Sequence, residues 1–283
     1  MSLPLVSVIC LCYNQARYVV EAMQSVIDQT YLAVELIVVD DASTDNSAEV
    51  IKDFVKNKEQ IKFVQLKENV GNCAAFNKGF ELSSGTYIID LAADDILLPT
   101  RIEEGVNSLE KAGDDFGVQF SDAQLISDEG EYIGLHSDNY PHNSIPHGDI
   151  YRDVIARYFI LSPTMLIKRK VLELLNGYDE QLAYEDFDFW VRSSRHFKYV
   201  YIPKPLVKRR RLNDSMYSRQ FIKGSEQLRS TFIVCRKINE LNETQEEKQA
   251  LISRIRYEIK ISLKLFDFSL AADYFRLLKD IKG

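Results

Sequence analysis

The chain has 283 residues, 46% hydrophobic and 27% charged, a size and balance suited to a large buried core in a globular protein. Its formal charge of −7 argues against a general nucleic-acid binder. No apolar run approaches the roughly 20 residues of a membrane span, and the first residues lack the basic and apolar regions of a signal peptide, so a cytoplasmic protein is expected.

Residues 6–12 read as a buried first strand that sets Cys10 and Cys12 on one face. Tyr13 and Asn14 follow, with Asn14 placed to cap a helix over 17–29 whose Val19, Met23, Val26 and Ile27 share a face. Residues 35–39 form a second buried strand and run into Asp40, Asp41 and, a little later, Asp45. A helix with Ala48, Ile51, Phe54 and Val55 inward, an alternating strand over 61–66, a turn at Asn69 to Gly71 and a helix over 73–82 come next. The apolar strand 87–91 leads to the adjacent carboxylates Asp94 and Asp95, and Pro99 and Thr100 open a new helix with Thr100 as its N-cap. This β-α-β-α-β-α-β order implies a mostly parallel sheet with helices on both faces. One acid pair at a strand end can simply face water. Two pairs at equivalent strand ends suggest a single acidic, ligand-holding crevice, because ligands of open α/β sheets sit at the carboxyl ends of strands. No GxGxxG or GxxxxGK[ST] segment occurs, so a bound nucleotide would rely on side chains and a divalent cation to hold its phosphates.

Beyond residue 112 the pattern changes. A strand over 116–120, a hairpin joining 124–126 to 132–134, a loop over 136–148 able to cover a site, a helix over 149–159, a short strand over 165–167 and a helix over 169–175 are expected. Glu185, Asp186 and Asp188 crowd the start of a helix anchored by Phe189 and Trp190. Acids there first of all stabilise a helix N-terminus, and one could also project as a general base. Residues 204–211 form a basic cluster suited to solvation, to a pyrophosphate or to an anionic membrane surface, making peripheral membrane contact one expectation. From 225 onward the chain reads as helical, broken near 242–244, with Thr244 and Glu247 at capping-box spacing. The stripes Ile252, Ile255, Ile259, Leu263, Phe266 and Leu270, Tyr274, Leu277, Leu278 suit docking on the sheet, homodimer formation or membrane contact. The four cysteines lack CxxC spacing and read as reduced thiols, and His136, His142, His147 and His196 are too scattered to suggest a metal site.

Taken together and in order, the segments at 6–14, 38–45, 69–71, 85–88 and 93–99, with Glu185-Asp186, resemble family 2 glycosyltransferases of the GT-A fold over roughly residues 4–215. The resemblance divides the chain into a GT-A domain at 1–215, with a nucleotide-binding half near 1–100 and an acceptor half near 101–215, and a helical C-terminal extension at 216–283. It implies inverting, non-processive transfer of a sugar from a nucleoside-diphosphate donor, foremost a UDP-sugar, with Mn2+ or Mg2+. The acceptor would be a glycan or lipid-linked hydroxyl in bacterial cell-surface polysaccharide or lipopolysaccharide synthesis. By position, Tyr13 would stack on the base, Asp41 would accept its hydrogen, Asp40 and Asp45 would support that wall, and Asn14, Asn69, Gly71 and Asp95 would belong to the donor site. Asp94 matches the metal-binding aspartate of the DxD motif, and Asp186 the catalytic base with Glu185 beside it. Two departures stand out. Ala92 replaces the first aspartate of DxD, and Leu212 stands where a histidine is usual, so that Arg210 or Arg211 would take its place near the diphosphate. The alternatives are a degenerate GT-A protein that binds nucleotide or a protein partner without turnover, and a nucleotidyltransferase. The segment after the first strand lacks the glycine-rich loop expected of the latter.

Overall fold

A computed structural model describes residues 3–141, 144–212 and 222–282. Strands β1 (Val6–Cys12), β2 (Val34–Asp40), β3 (Ile61–Gln65) and β4 (Tyr87–Ala92) run parallel in the order β3-β2-β1-β4. Beyond β4 the sheet turns mixed. Strand β8 (Leu166–Lys168) is antiparallel to β4 and to β6 (Phe116–Ile126), while β9 (Lys198–Arg210) runs parallel to β6. The two-residue β5 (Ile96–Leu97) closes that edge on β9, and β7 (Tyr132–Leu135) makes the expected hairpin with β6.

Side-chain alternation along the strands divides the interior into two layers. Val8, Cys10 and Cys12 of β1 meet α1 (Val19–Ile27), α2 (Ser47–Val55) and α4 (Arg101–Ala112), with Cys10 and Cys12 on one face as the sequence implied. Ile9 and Leu11 face the other layer, built on α3 (Asn72–Leu82), α5 (Tyr151–Ala156) and α7 (Asp186–Ser194). Helix α3 rides close on the sheet because Gly79 has no side chain; a Cβ there would lie 2.4 Å from Ile9 Cγ2. Helix α6 (Arg169–Leu175) follows β8.

The C-terminal helices α8 (Glu226–Leu241), α9 (Gln245–Lys264) and α10 (Phe268–Lys282) join this second layer. Ile255, Ile259, Leu270, Tyr274 and Leu277 are buried in the same core as Phe187 and Trp190, whereas Leu263 and Phe266 of the predicted stripes stay exposed. The capping box at Thr244 and Glu247 forms.

Several local expectations change. Asn14 caps no helix: α1 begins at Val19, and Asn14 instead binds the loop after β2. Thr100 occupies the N-cap position of α4 without a side-chain bond; Gln29 Oε1 accepts the Ile102 amide hydrogen there. The helix expected over 149–159 shortens to α5, and the strand expected over 116–120 extends to Ile126 because β9 pairs along its length. The basic cluster is itself the end of β9 rather than a free charged tail. His142 lies outside the described residues.

Candidate active site

The carboxyl ends of β1, β2 and β4 open on one crevice, and two loops form its first wall. Tyr13, 46% exposed, leaves β1 with a free aromatic face. Asn14 adopts a left-handed φ of 55°, tolerable for its short polar side chain. Its Oδ1 accepts the Thr44 and Asp45 amide hydrogens at 2.7 and 3.3 Å, lacing the two loops together. Asp45 accepts hydrogen bonds from the Ala16 amide and from the hydroxyl and amide of Ser47. Against the opposing effect of burial, these hold its carboxyl below the usual range. Asp40 is fully buried; its Oδ2 accepts from the Ser43 amide at 3.2 Å and its Oδ1 has no partner. The Asp41 carboxylate accepts from the amides of Val70 and Gly71 at 2.8 and 3.0 Å, while Asn69 Nδ2 reaches the Asp41 carbonyl. Gly71, at φ 86°, can turn both amides inward where an L side chain would be strained.

The second wall is the β4–β5 turn. Asp95 is committed to structure, its Oδ1 accepting the Arg210 amide hydrogen at 2.9 Å; burial, then the charge of Asp94, pushes it up to about 8. Burial also raises Asp94, opposed by Arg209 and Arg210. Among the described residues no other residue donates a hydrogen bond to the Asp94 side chain. No group of three or more His, Cys, Asp or Glu side chains among the described residues forms a metal cage. A carboxylate in this place suits a hard cation that shares its other positions with water and ligand phosphates, as Mg2+ sites commonly do.

The third wall is the start of α7. Glu185 is held by Asn72 Nδ2, 2.5 Å from its Oε2. Asp186 follows with Oδ1 buried and unpartnered. Burial, then Glu185, pushes the Asp186 carboxyl well up, while Arg209 pulls it down. Asp188, the third acid of this segment, is structural: it pairs with Arg192 at 2.6 Å and Lys237 at 2.7 Å.

The basic strand divides its duties. Arg210, expected near a diphosphate, is buried and engaged elsewhere. Its guanidinium donates to Glu21, to the carbonyls of Ser127 and Asp128 and to the Asp94 carbonyl, and lies 4.7 Å over the Tyr18 ring. It braces the β4–β5 turn. Arg211 is exposed, and Arg209, which sequence reasoning passed over, lies where its charge acts on Asp94, Asp95 and Asp186 alike. Strand alternation in the run 208–211 was the signal that could have separated Arg209 from Arg210. Asp90 was also missed. It lies on β4, 7% exposed, takes a hydrogen bond from Tyr178 at 3.2 Å, and is pushed up by burial and then by Glu185. Ala92, two residues on, shares its side of the strand and leaves the first DxD position without a carboxylate.

A family model described as Glycosyl transferase family 2 matches residues 7–173. An uncharacterised glycosyltransferase of Methanocaldococcus jannaschii is 30% identical over 77% of this chain and 74% of its own length. The Bacillus subtilis protein TuaG, a glycosyltransferase named for teichuronic acid biosynthesis, is 31% identical over 59% of this chain and 63% of its own. Among solved structures, S. aureus TarS 1-349 with UDP-GlcNAc superposes with a TM-score of 0.70 at 18% identity, covering 89% of this chain and 71% of that one. The mannosyltransferase PcManGT of Pyrobaculum calidifontis with GDP-Man and Mn2+ superposes with a TM-score of 0.66 at 15% identity, covering all of this chain and 85% of that one. These superpositions establish the GT-A fold.

Proposed function

The chain belongs to glycosyl transferase family 2, and from that premise we propose that it moves a sugar from a UDP-sugar to an acceptor hydroxyl with inversion. The observation that carries this reading is the shared crevice. An uncommitted Asp94 on one wall and a partnerless Asp186 oxygen on another both lie within reach of the charge of Arg209. Tyr13 offers its face to the base. Asp41 holds the turn at 69–71 against that pocket and keeps lone pairs for a base hydrogen. Arg209 and the exposed Arg211 supply positive charge for the diphosphate where the usual histidine is Leu212. Mn2+ or Mg2+ held by Asp94 would withdraw charge from the leaving diphosphate when bound. On the opposite face of the anomeric carbon, Asp186 takes the proton of the acceptor hydroxyl as that oxygen attacks. Glu185, fixed by Asn72, keeps the base oriented and basic.

UDP is favoured by the nucleotide in the TarS complex, and a role in surface-polysaccharide assembly by the name of TuaG. The test is calorimetric titration of the purified chain with UDP, GDP and dTDP, each with Mn2+ and with EDTA. Metal-dependent binding of UDP, lost in Asp94→Asn, is the expected result. Unchanged affinity in Asp94→Asn would remove it as the metal ligand, and no binding of any nucleotide would favour a GT-A protein without turnover.

A further inference from the structure

Helix α10 is apolar on two sides. Leu270, Tyr274 and Leu277 fill the core, yet Phe268 and Phe275, seven residues apart, are 64% and 52% exposed on another face. That spacing is two turns, about 10 Å along one stripe. At the α9–α10 turn Phe266 is 67% exposed and holds a left-handed φ of 56°, a conformation that disfavours a bulky side chain. Its ring stands edge-on to Phe268 with centroids 6.4 Å apart. The exposed Lys260 and Lys264 precede this turn, and Phe275 and Leu278 line a groove with the exposed Lys279 and Lys282. Among the described residues none of these four lysines is ion-paired. Asp273 is paired with Arg276, Asp267 is buried and accepts the Leu270 amide hydrogen, and Asp280 is the remaining carboxylate of α10.

We propose that this face of the α9–α10 hairpin docks on an anionic lipid surface, with Phe266, Phe268 and Phe275 entering the interface and the lysines reaching the headgroups. Aromatic rings set among flexible cations fit that boundary, since the ammonium groups can extend to anionic heads while the rings leave water. A second copy suits the face less well, because a two-fold contact would bring like-charged lysines together around the rings. The basic cluster at 204–211, which the sequence offered for membrane contact, is folded into β9, with Arg210 buried and Lys204 paired to Glu104. The hairpin is a separate surface, and docking there requires no turnover.

The test is co-sedimentation of the full chain with vesicles of phosphatidylcholine, alone or mixed with phosphatidylglycerol. Binding to the anionic vesicles, released by high salt, is expected. Phe266→Ser with Phe268→Ser should weaken it by about tenfold per ring, and Lys279→Gln with Lys282→Gln by about fivefold per lysine, both with helical circular dichroism retained. Equal binding to neutral vesicles, no binding to either kind, or unchanged binding of the folded variants would overturn the proposal. So would a dimer in light scattering that the phenylalanine variants dissolve, which would assign the face to a second copy. No outcome depends on sugar transfer, so failure here leaves the enzymatic reading untouched.

Discussion

At the scale of single residues, the proposed base makes the sharpest demand. Asp186 must be ionised to accept a proton, and its carboxyl is raised by burial and then by Glu185. Transfer should therefore climb as pH rises through that raised value, placing the ascending limb of kcat/KM above the ordinary aspartate value of about 3.9. Removing the charge of Glu185 should move this limb to lower pH, so Glu185→Gln is expected to shift it acid-ward; a limb that stays in place would disconnect the pair. Asp186→Asn should keep nucleotide binding and lose about 100-fold or more in kcat. An active Asp186→Asn chain would rule it out as the base. The positions of Asp94 just past β4 and of Asp186 at the start of α7 were legible because each belongs to a segment with a strong local pattern. Arg209 and Asp90 were not legible. Their roles depend on which way a strand side chain points, and the run 204–211 was read as charge rather than as a strand. Arg210 illustrates the limit: its type suggested an anion contact, whereas its burial commits it to Glu21 and to backbone carbonyls.

Elements were legible where periodicity was strong and local. The first four parallel strands, the 124–135 hairpin and the Thr244 capping box needed only near neighbours in sequence. Caps that recruit distant side chains, such as Gln29 at the start of α4, were invisible for the opposite reason. The attachment of α9 was likewise hidden in an amphipathic stripe. Arg254 and Glu258, both 5% exposed, pair at 3.3 Å beneath its surface. Arg254 also donates to the Ile155 carbonyl and lies over the Tyr158 and Phe187 rings, 4.3 and 5.0 Å from their centroids. Phe187 is the residue after the proposed base, so this pair fixes α9 to α5 and α7 together. Arg254→Met should cost about 3–5 kcal/mol, because Glu258 is left charged in the core or must take up a proton. Arg254→Met with Glu258→Leu should recover most of that loss. Urea denaturation of the single and double variants measures it, and a double variant less stable than the single would refute this account of the pair.

For the whole molecule, the sequence suggested a GT-A domain followed by a helical extension and left open whether that extension docks on the sheet. The packing shows it docked. Leu251, Ile255 and Tyr274 of the extension lie in one continuous apolar core with Phe187, Trp190 and the sheet residues Ile9 and Ile37. Lys237 of α8 meanwhile bridges Asp179 and Asp188 around α7. Removing α8 to α10 would expose that core and leave Asp188 without one of its two cations. Neither part can then lose structure without destabilising the other, and unfolding should be a single transition. Trp190 is the chain's one tryptophan and sits in α7, so its fluorescence reports the sheet-bound side, while far-ultraviolet circular dichroism is weighted by the long C-terminal helices. In urea the two signals should give the same midpoint. Helical signal lost at lower urea than tryptophan signal would establish a separately melting extension and break the link drawn between the C-terminal helices and the proposed base.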